Sequence, residues 1–326
     1  MAWDRHLGKG RTRRGRMISQ DRTRAAAGFI LLYAVVIGFT DNYVRVIADE
    51  AGLWQFHLTR SVMALAILAA VAPALGLRLR PVDWRAVAAR SAIHGTAMLI
   101  YFGALAFLPV AQVAAGLFTA PIFVLVISRF VYGERIGPVR VLAVLTGFAG
   151  VLLVLGPEAM AGASFAAGLP VLAGLLYGMG NIATRAWCPQ ESAGTLLGGF
   201  FVALGVLGAA GLAVLALVSP PVPAGPDGFV MRGFVVPSQD FWFWTFVQAA
   251  GSLFAVGMMI RAYQAATASR VSVFEYVILP ASAIWGWLLW DERLSPVAAA
   301  GMALIALAGI AIAVGSRPPA ATATPA

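Results

Sequence analysis

The sequence predicts an all-α polytopic membrane protein, with ten transmembrane helices in two inverted five-helix repeats and both termini cytoplasmic. Three observations carry that prediction. Apolar residues make up 60% of the 326 and charged residues only 11%, against about 25% charged in a soluble domain. Ten apolar runs each reach the length of about 20 residues that a bilayer core demands of a helix. The chain also states one pattern twice, about 159 residues apart. Pro109-Val110-Ala111-Gln112 leads to Pro121, to Gly133-Glu134-Arg135-Ile136-Gly137-Pro138, and to an apolar run closing at Gly156. Ser269-Arg270-Val271-Ser272 leads to Pro280, to Asp291-Glu292-Arg293-Leu294-Ser295-Pro296, and to an apolar run closing at Gly315. A period this long marks a duplicated half-protein rather than a solenoid.

Residues 1–24 form a basic segment read as an uncleaved cytoplasmic tail. Its Arg11, Arg13, Arg14 and Arg16 are followed by an apolar run without a small-residue cleavage site, so an export signal is not indicated. Runs centred near Val35, Met63, Met98, Phe123 and Thr146 make the first repeat, residues 25–160. Runs centred near Leu176, Leu207, Ser252, Ala281 and Leu307 make the second, residues 161–316. Residues 317–326, rich in alanine, proline and threonine, are expected to be disordered. Pro121 and Pro280 fall at matching places in the fourth and ninth runs. Proline frees a backbone carbonyl and kinks a helix, so a bend is expected at each. The connection from about Ser219 to Gln239 is the one long loop, and the aromatic cluster Phe241 to Trp244 that follows it suits an interfacial belt.

Positive charge sets the orientation. With the N-terminus inside, 19 of the 23 arginines and lysines fall on inside segments, the bias that orients membrane helices. Five spans per copy is an odd number, so the second copy inserts the opposite way. Glu134-Arg135 is then cytoplasmic and Glu292-Arg293 outside.

The same bias accounts for the net charge of +9 without nucleic acid. Cys188 is the single cysteine, which excludes an internal disulfide and a cysteine metal cluster. Lys9 is the single lysine and stands in no credible phosphate loop, so ATP is excluded as the internal energy source. His6, His57 and His94 are dispersed and no aspartate-rich motif occurs, so the constellation of a membrane enzyme is missing. Neither a catalytic residue nor a metal or other cofactor is expected.

Two five-span halves, each with a Gly/Asp-Glu-Arg-Leu/Ile-x-Pro turn before its last span, resemble the drug/metabolite transporter superfamily, and more narrowly its EamA-type branch. The resemblance covers about Ala25 to Gly315. Gly133-Glu134-Arg135 followed by Pro138 is its best motif, and Asp291 departs from the usual glycine in the second copy. The resemblance implies secondary transport of small solutes through a central cavity, with the third–fourth and eighth–ninth spans packed as hairpins. Similar members export amino acids, aromatic ones especially, and other branches move sugars, nucleotide conjugates or cations.

Such transport needs polar groups at mid-membrane where the repeats meet, and polar residues inside spans are the candidates because each is costly there unless paired. On the third span His94, Met98 and Tyr101 share a face at i, i+4, i+7. On the eighth, Gln248 and Ser252 share a face, and the amide offers a donor and an acceptor to a zwitterion. On the sixth, Tyr177 and Asn181 share a face, and Asn42 ends the first span. Each of these either contacts substrate or bonds a neighbouring helix.

Asp41 stands i, i+4 from Arg45, with His57 and Arg60 on the second span. It is expected either to pair with Arg60 or Arg45, or to serve as a proton site or outer gate. Glu275 is expected either to pair with Arg270 or Arg261 at an inner gate, or to carry a proton. These residues predict an exporter of small organic solutes, best matched to aromatic or other apolar amino acids. A proton-coupled exporter of lipophilic cations is the alternative, with Asp41 and Glu275 as counter-charges. The expected partners are a small-molecule substrate, the bilayer and, in the alternative, protons; the expected location is a bacterial inner membrane.

Overall fold

The computed structural model describes residues 5–105, 108, 110–160, 166, 168–224 and 228–315. The expected disordered tail, 317–326, lies outside them. The described residues are helical, about 80% of the chain, and contain no strand. The order is α1 (Arg5–Asn42), α2 (Val44–Glu50), α3 (Leu53–Val71), α4 (Trp84–Ala104), α5 (Val110–Leu117), α6 (Ala120–Phe130) and α7 (Pro138–Leu155). There follow α8 (Gly168–Ala186), α9 (Ala193–Val218), α10 (Gln239–Ala265), α11 (Ala268–Phe274), α12 (Ile278–Trp290) and α13 (Pro296–Gly315). Helix α1 begins at Arg5, so helical backbone runs through most of the segment expected to be a tail. Its spanning part starts at Arg22.

Among the described residues eight segments are long and apolar enough to cross a membrane, two fewer than the ten apolar runs of the sequence. Three join consecutive helices: α1 with α2, α5 with α6, and α11 with α12. The two helices outside this set are α4 and α8, of 21 and 19 residues. Both have spanning length, but Arg85, Arg90 and His94 on α4, and Asn181 and Arg185 on α8, lower their apolar character. Around the outside, Leu32, Val206, Phe246 and Leu307 stand about half exposed, the surface that lipid would cover in an integral membrane protein.

The two interrupted helices break at equivalent points. Helix α5 ends at Leu117 and α6 restarts at Ala120 with Pro121 in its first turn. Helix α11 ends at Phe274, residues Glu275–Val277 tighten into a 3₁₀ turn, and α12 restarts at Ile278 with Pro280 in its first turn. A proline in the first turn removes only an N–H that has no intrahelical partner.

Helix packing comes in matched pairs. Helix α7 lies along α13, and α3 along α9. The α1–α10 contact has its counterpart in α4–α8, α1–α12 in α6–α8, and α3–α10 in α4–α9. Each pair maps onto its mate when the two halves of the chain are exchanged. The α7–α13 contact is tight enough that a Cβ on Gly150 would lie 2.7 Å from the Gly301 carbonyl oxygen. The hairpins implied by the resemblance are not the packing units: α4 meets α8 and α9 far more than α5, and α10 meets α1 and α3 more than α11. Those faces of α4 and α10 are taken by helices of the other half.

The two Glu-Arg turns occupy opposite ends of the molecule. Glu134 accepts from the Ser269 hydroxyl at 2.8 Å, beside the start of α11, whereas Glu292 follows the end of α12. The long connection docks at the Glu292 end. Phe229 O accepts from Leu53 N at 2.9 Å, Val230 O from the Trp54 indole at 2.7 Å, and the Gln55 amide exchanges two hydrogen bonds with Val235.

Candidate functional site

A cavity of about 1070 Å³ opens between the two halves. Its depth is lined by Tyr33, His94, Tyr177, Met259 and Glu275, and its mouth by Arg45, Arg232 and Glu292. Both halves contribute: α1 and α4 from the first, α8 and α10 from the second.

The wall nearer the mouth carries a polar chain with both signs of charge. Gln248 on α10, buried, donates from Nε2 to Asp41 Oδ1 at 2.8 Å. Its Oε1 accepts from Ser252 Oγ at 2.5 Å and from Arg60 Nη1 at 3.4 Å. Arg60 Nη2 lies 3.3 Å from His57 Nδ1, and its guanidinium sits over the rings of Phe56 and Phe102 at 4.9 and 5.6 Å. Such aromatic faces stabilise a desolvated cation. Asp41, Arg60 and Ser252 border the cavity, and Gln248 stands behind them. This corrects the expected direct pairing of Asp41: the amide of Gln248 bridges Asp41 to Arg60, while Arg45 pairs with Glu292 at 3.0 Å. Helix α10 lies between α1 and α3 at this level, so its side chain reaches both first.

The floor is built around Glu275. Asn181 Nδ2 donates to Glu275 Oε1 at 3.2 Å, and the Tyr177 and Tyr263 hydroxyls lie close by. The Tyr177 hydroxyl lies 3.3 Å from that of Tyr33 and 2.9 Å from Met259 Sδ. The expected pairing of Glu275 with Arg270 or Arg261 is not made. Arg270 donates instead to Thr23 at 3.4 Å, and no basic side chain is among the groups acting on Glu275. The tight turn that holds Glu275 faces it into the cavity rather than towards the end of the span where those arginines stand.

His94 is buried against Tyr177 and Phe200, with ring centroids 4.8 and 5.7 Å away, and neither ring nitrogen has a hydrogen-bond partner among the described residues. A buried polar group in that state is poised to bind a ligand or water. Met98, Tyr101 and Asn42 also border the cavity, although the Asn42 amide already donates to Gly38 O at 2.6 Å and Ser282 O at 3.3 Å. Asn181, like Gln248, is not in the lining and supports a group that is. Pro121 borders the cavity and Pro280 does not. The sequence reading missed Tyr33, which lies two turns before Asp41 on one face of α1 and could have been found by that spacing.

Residues 24–156 match the model of the EamA-like transporter family. The match covers most of the first half of the chain. A riboflavin transporter of Rhizobium johnstonii is 30% identical over 208 residues, 64% of this chain and 63% of that relative. A riboflavin transporter of Brucella anthropi is 27% identical over 201 residues, 62% of this chain and 66% of that one. The chain therefore spans just under two thirds of the length of these two relatives. A pseudopaline exporter of Pseudomonas aeruginosa is 24% identical over 288 residues, 86% of this chain and 95% of that relative. A crystal structure matches the fold with a TM-score of 0.72 at 18% identity, over 91% of this chain and 99% of the other. The EamA-like match thus falls on the half that supplies Asp41, Arg60 and His94.

Proposed function

We propose that the protein is a secondary transporter that exports small organic solutes by alternating access through the cavity between two inverted five-helix repeats. In this reading α4 and α8 also cross the bilayer, giving ten spans of an inner membrane with both termini cytoplasmic. The observation that carries it is the cavity itself, shared by the two halves and closed at its floor by Glu275, Tyr177 and Tyr33. A carboxylate and a guanidinium joined by one amide suit a zwitterion, with Asp41 facing an ammonium and Arg60 a carboxylate. Aromatic walls at Tyr101, Phe102 and Phe118 favour a flat apolar body, because stacking replaces water cheaply only for such groups. Aromatic amino acids and larger aromatic metabolites fit both features. The volume, at the top of the usual range of roughly 300–1,000 Å³ for ligand pockets, leaves room for the larger ones, and two relatives named as riboflavin transporters support including them.

A second reading, proton-coupled export of lipophilic cations, is favoured by Asp41 and Glu275, two cavity carboxylates with no ion pair among the described residues. Counterflow in proteoliposomes tests both. Vesicles are preloaded in parallel with tryptophan, leucine, riboflavin, a sugar and a lipophilic cation, with and without a pH gradient. Exchange of aromatic solutes that is indifferent to the gradient supports the first reading. Movement of the cation alone, and only with the gradient, overturns it in favour of the second.

A further inference from the structure

A second concavity, outside the transport cavity, lies at the opposite end of the molecule. It is shallow, about 680 Å³, and four span ends meet there: the start of the Arg22–Glu50 span, the turn after α3, the start of α9 and the end of α10. Arg22, Arg78 and Arg261 line it together with Ser192 and Gln264, above the apolar side chains of Phe29 and Leu77.

The carboxylates described near this end are already engaged. Asp83 Oδ1 caps α4 by accepting from the N–H groups of Arg85 and Ala86. Glu191 is buried, accepts from Val82 N and Asp83 N at 2.7 Å, and stands 3.9 Å from Arg78. Glu134 holds Arg140. None of them lines the concavity, and Arg22 and Arg261 are exposed with no carboxylate in salt-bridge reach among the described residues. Directly along α1 the side chains of Leu31, Leu32 and Val35 stand about half exposed, so the basic cup sits where an apolar, lipid-facing surface gives way to water.

We propose that this cup seats the phosphate of an anionic phospholipid, with Arg22 and Arg261 as its charged contacts and Phe29 and Leu77 against the glycerol and first acyl carbons. Arginine suits phosphate because its planar fork donates two parallel hydrogen bonds, and basic pockets between membrane helices are a known class of lipid-headgroup site. Arg78 has a different part: its donation to Gln190 O and its proximity to Glu191 hold the wall.

The test is a lipid titration of the purified full chain by native mass spectrometry. Phosphatidylglycerol, phosphatidylcholine and free glycerol phosphate are compared on the parent and on Arg22→Gln/Arg261→Gln. Exposed Arg129→Gln/Arg135→Gln, with the same charge change at the same end, is the control. Each basic side chain near an anionic surface contributes roughly fivefold in binding, so the Arg22/Arg261 variant should bind phosphatidylglycerol about 30-fold more weakly. The control and the phosphatidylcholine arm should be unchanged. Equal weakening in the control would mean diffuse attraction and overturn the site. Glycerol phosphate binding as tightly as phosphatidylglycerol would overturn the lipid and leave a soluble phosphate site. Counterflow by the Arg22/Arg261 variant reports separately on the transport reading.

Discussion

Replacing Gln248 by leucine isolates the hydrogen bonds that join the two charges of the cavity wall. Leucine matches glutamine closely in volume, so packing among α1, α3 and α10 should keep its shape. The Nε2 donor to Asp41 at 2.8 Å and the Oε1 acceptor for Ser252 at 2.5 Å disappear. The Arg60 contact is lost too, but at 3.4 Å it is the weakest of the three. A hydrogen bond to a charged group contributes about 1.5–3 kcal/mol, and the Asp41 bond is the one at short distance. Without it the half-buried Asp41 carboxylate loses the amide that holds it in place at the cavity wall. A zwitterion would then meet a carboxylate no longer positioned for its ammonium, with affinity about ten- to a hundredfold lower. Counterflow gives the half-saturating concentration, and thermal unfolding in detergent gives the stability. The expected result is a rise of at least about tenfold in half-saturation, in that range, with a monodisperse protein. A variant that exchanges aromatic amino acids with the parent's half-saturation would refute the placement of the site.

Three other substitutions divide the roles. Glu275→Gln keeps an oxygen for Asn181 to donate to and should fold; under facilitated exchange it should move aromatic solutes near the parent rate at pH 6 and pH 8 alike, and complete loss of exchange would sink that mechanism. Gly150→Ala drives a methyl group against the Gly301 carbonyl and should lower the unfolding temperature by the equivalent of about 1–3 kcal/mol; an unchanged melting curve would show that α7 and α13 separate freely. Glu134→Ala releases both Arg140 and Ser269. It should cost about 1–3 kcal/mol while leaving the ranking of solutes in counterflow intact, and an altered ranking would place Glu134 in substrate selection.

Periodicity and proline made the helices and their two breaks legible, because both depend on local backbone chemistry. The candidate faces were legible too: His94, Met98 and Tyr101 keep i, i+4, i+7 spacing and all three border the cavity. Spacing fixes which residues share a face, but not how that face is rotated against its neighbours. Gln248 and Asn181 look like cavity residues on their own helices, yet tertiary packing turns them behind Asp41 and Glu275. The pairing of charges was hidden for the same reason, since Arg45 sits one turn from Asp41 in the chain but reaches Glu292, distant in sequence, on the other half. The count of spans met a different obstacle. Helices α4 and α8 carry His94 and Asn181 together with Arg85, Arg90 and Arg185, and these polar groups dilute the apolar signal by which a candidate span is counted.

The two halves share a plan but differ at the latch positions, and that difference bears on which end of the cavity is open. At one end Glu134 accepts from Arg140 at 2.5 Å and from Ser269 at 2.8 Å, so one carboxylate ties α7 to the first turn of α11 across the halves. The pair is mostly shielded, with side-chain exposures of 24% and 18%. At the offset that relates Pro121 to Pro280, Ser269 corresponds to Val110; at the offset that relates Pro138 to Pro296, Arg140 corresponds to Ala298. Neither can bond a carboxylate. Glu292 is left with Arg45, half exposed on both sides, and such pairs contribute only about 0–1 kcal/mol. The cavity reaches the surface at the Glu292 end, with the half-exposed Arg45–Glu292 pair at its mouth, and the better shielded Glu134 latch lies at the opposite end. In the alternating-access mechanism proposed above, a serine and an arginine present in one half and not at the matching positions of the other favour the form closed at the Glu134 end.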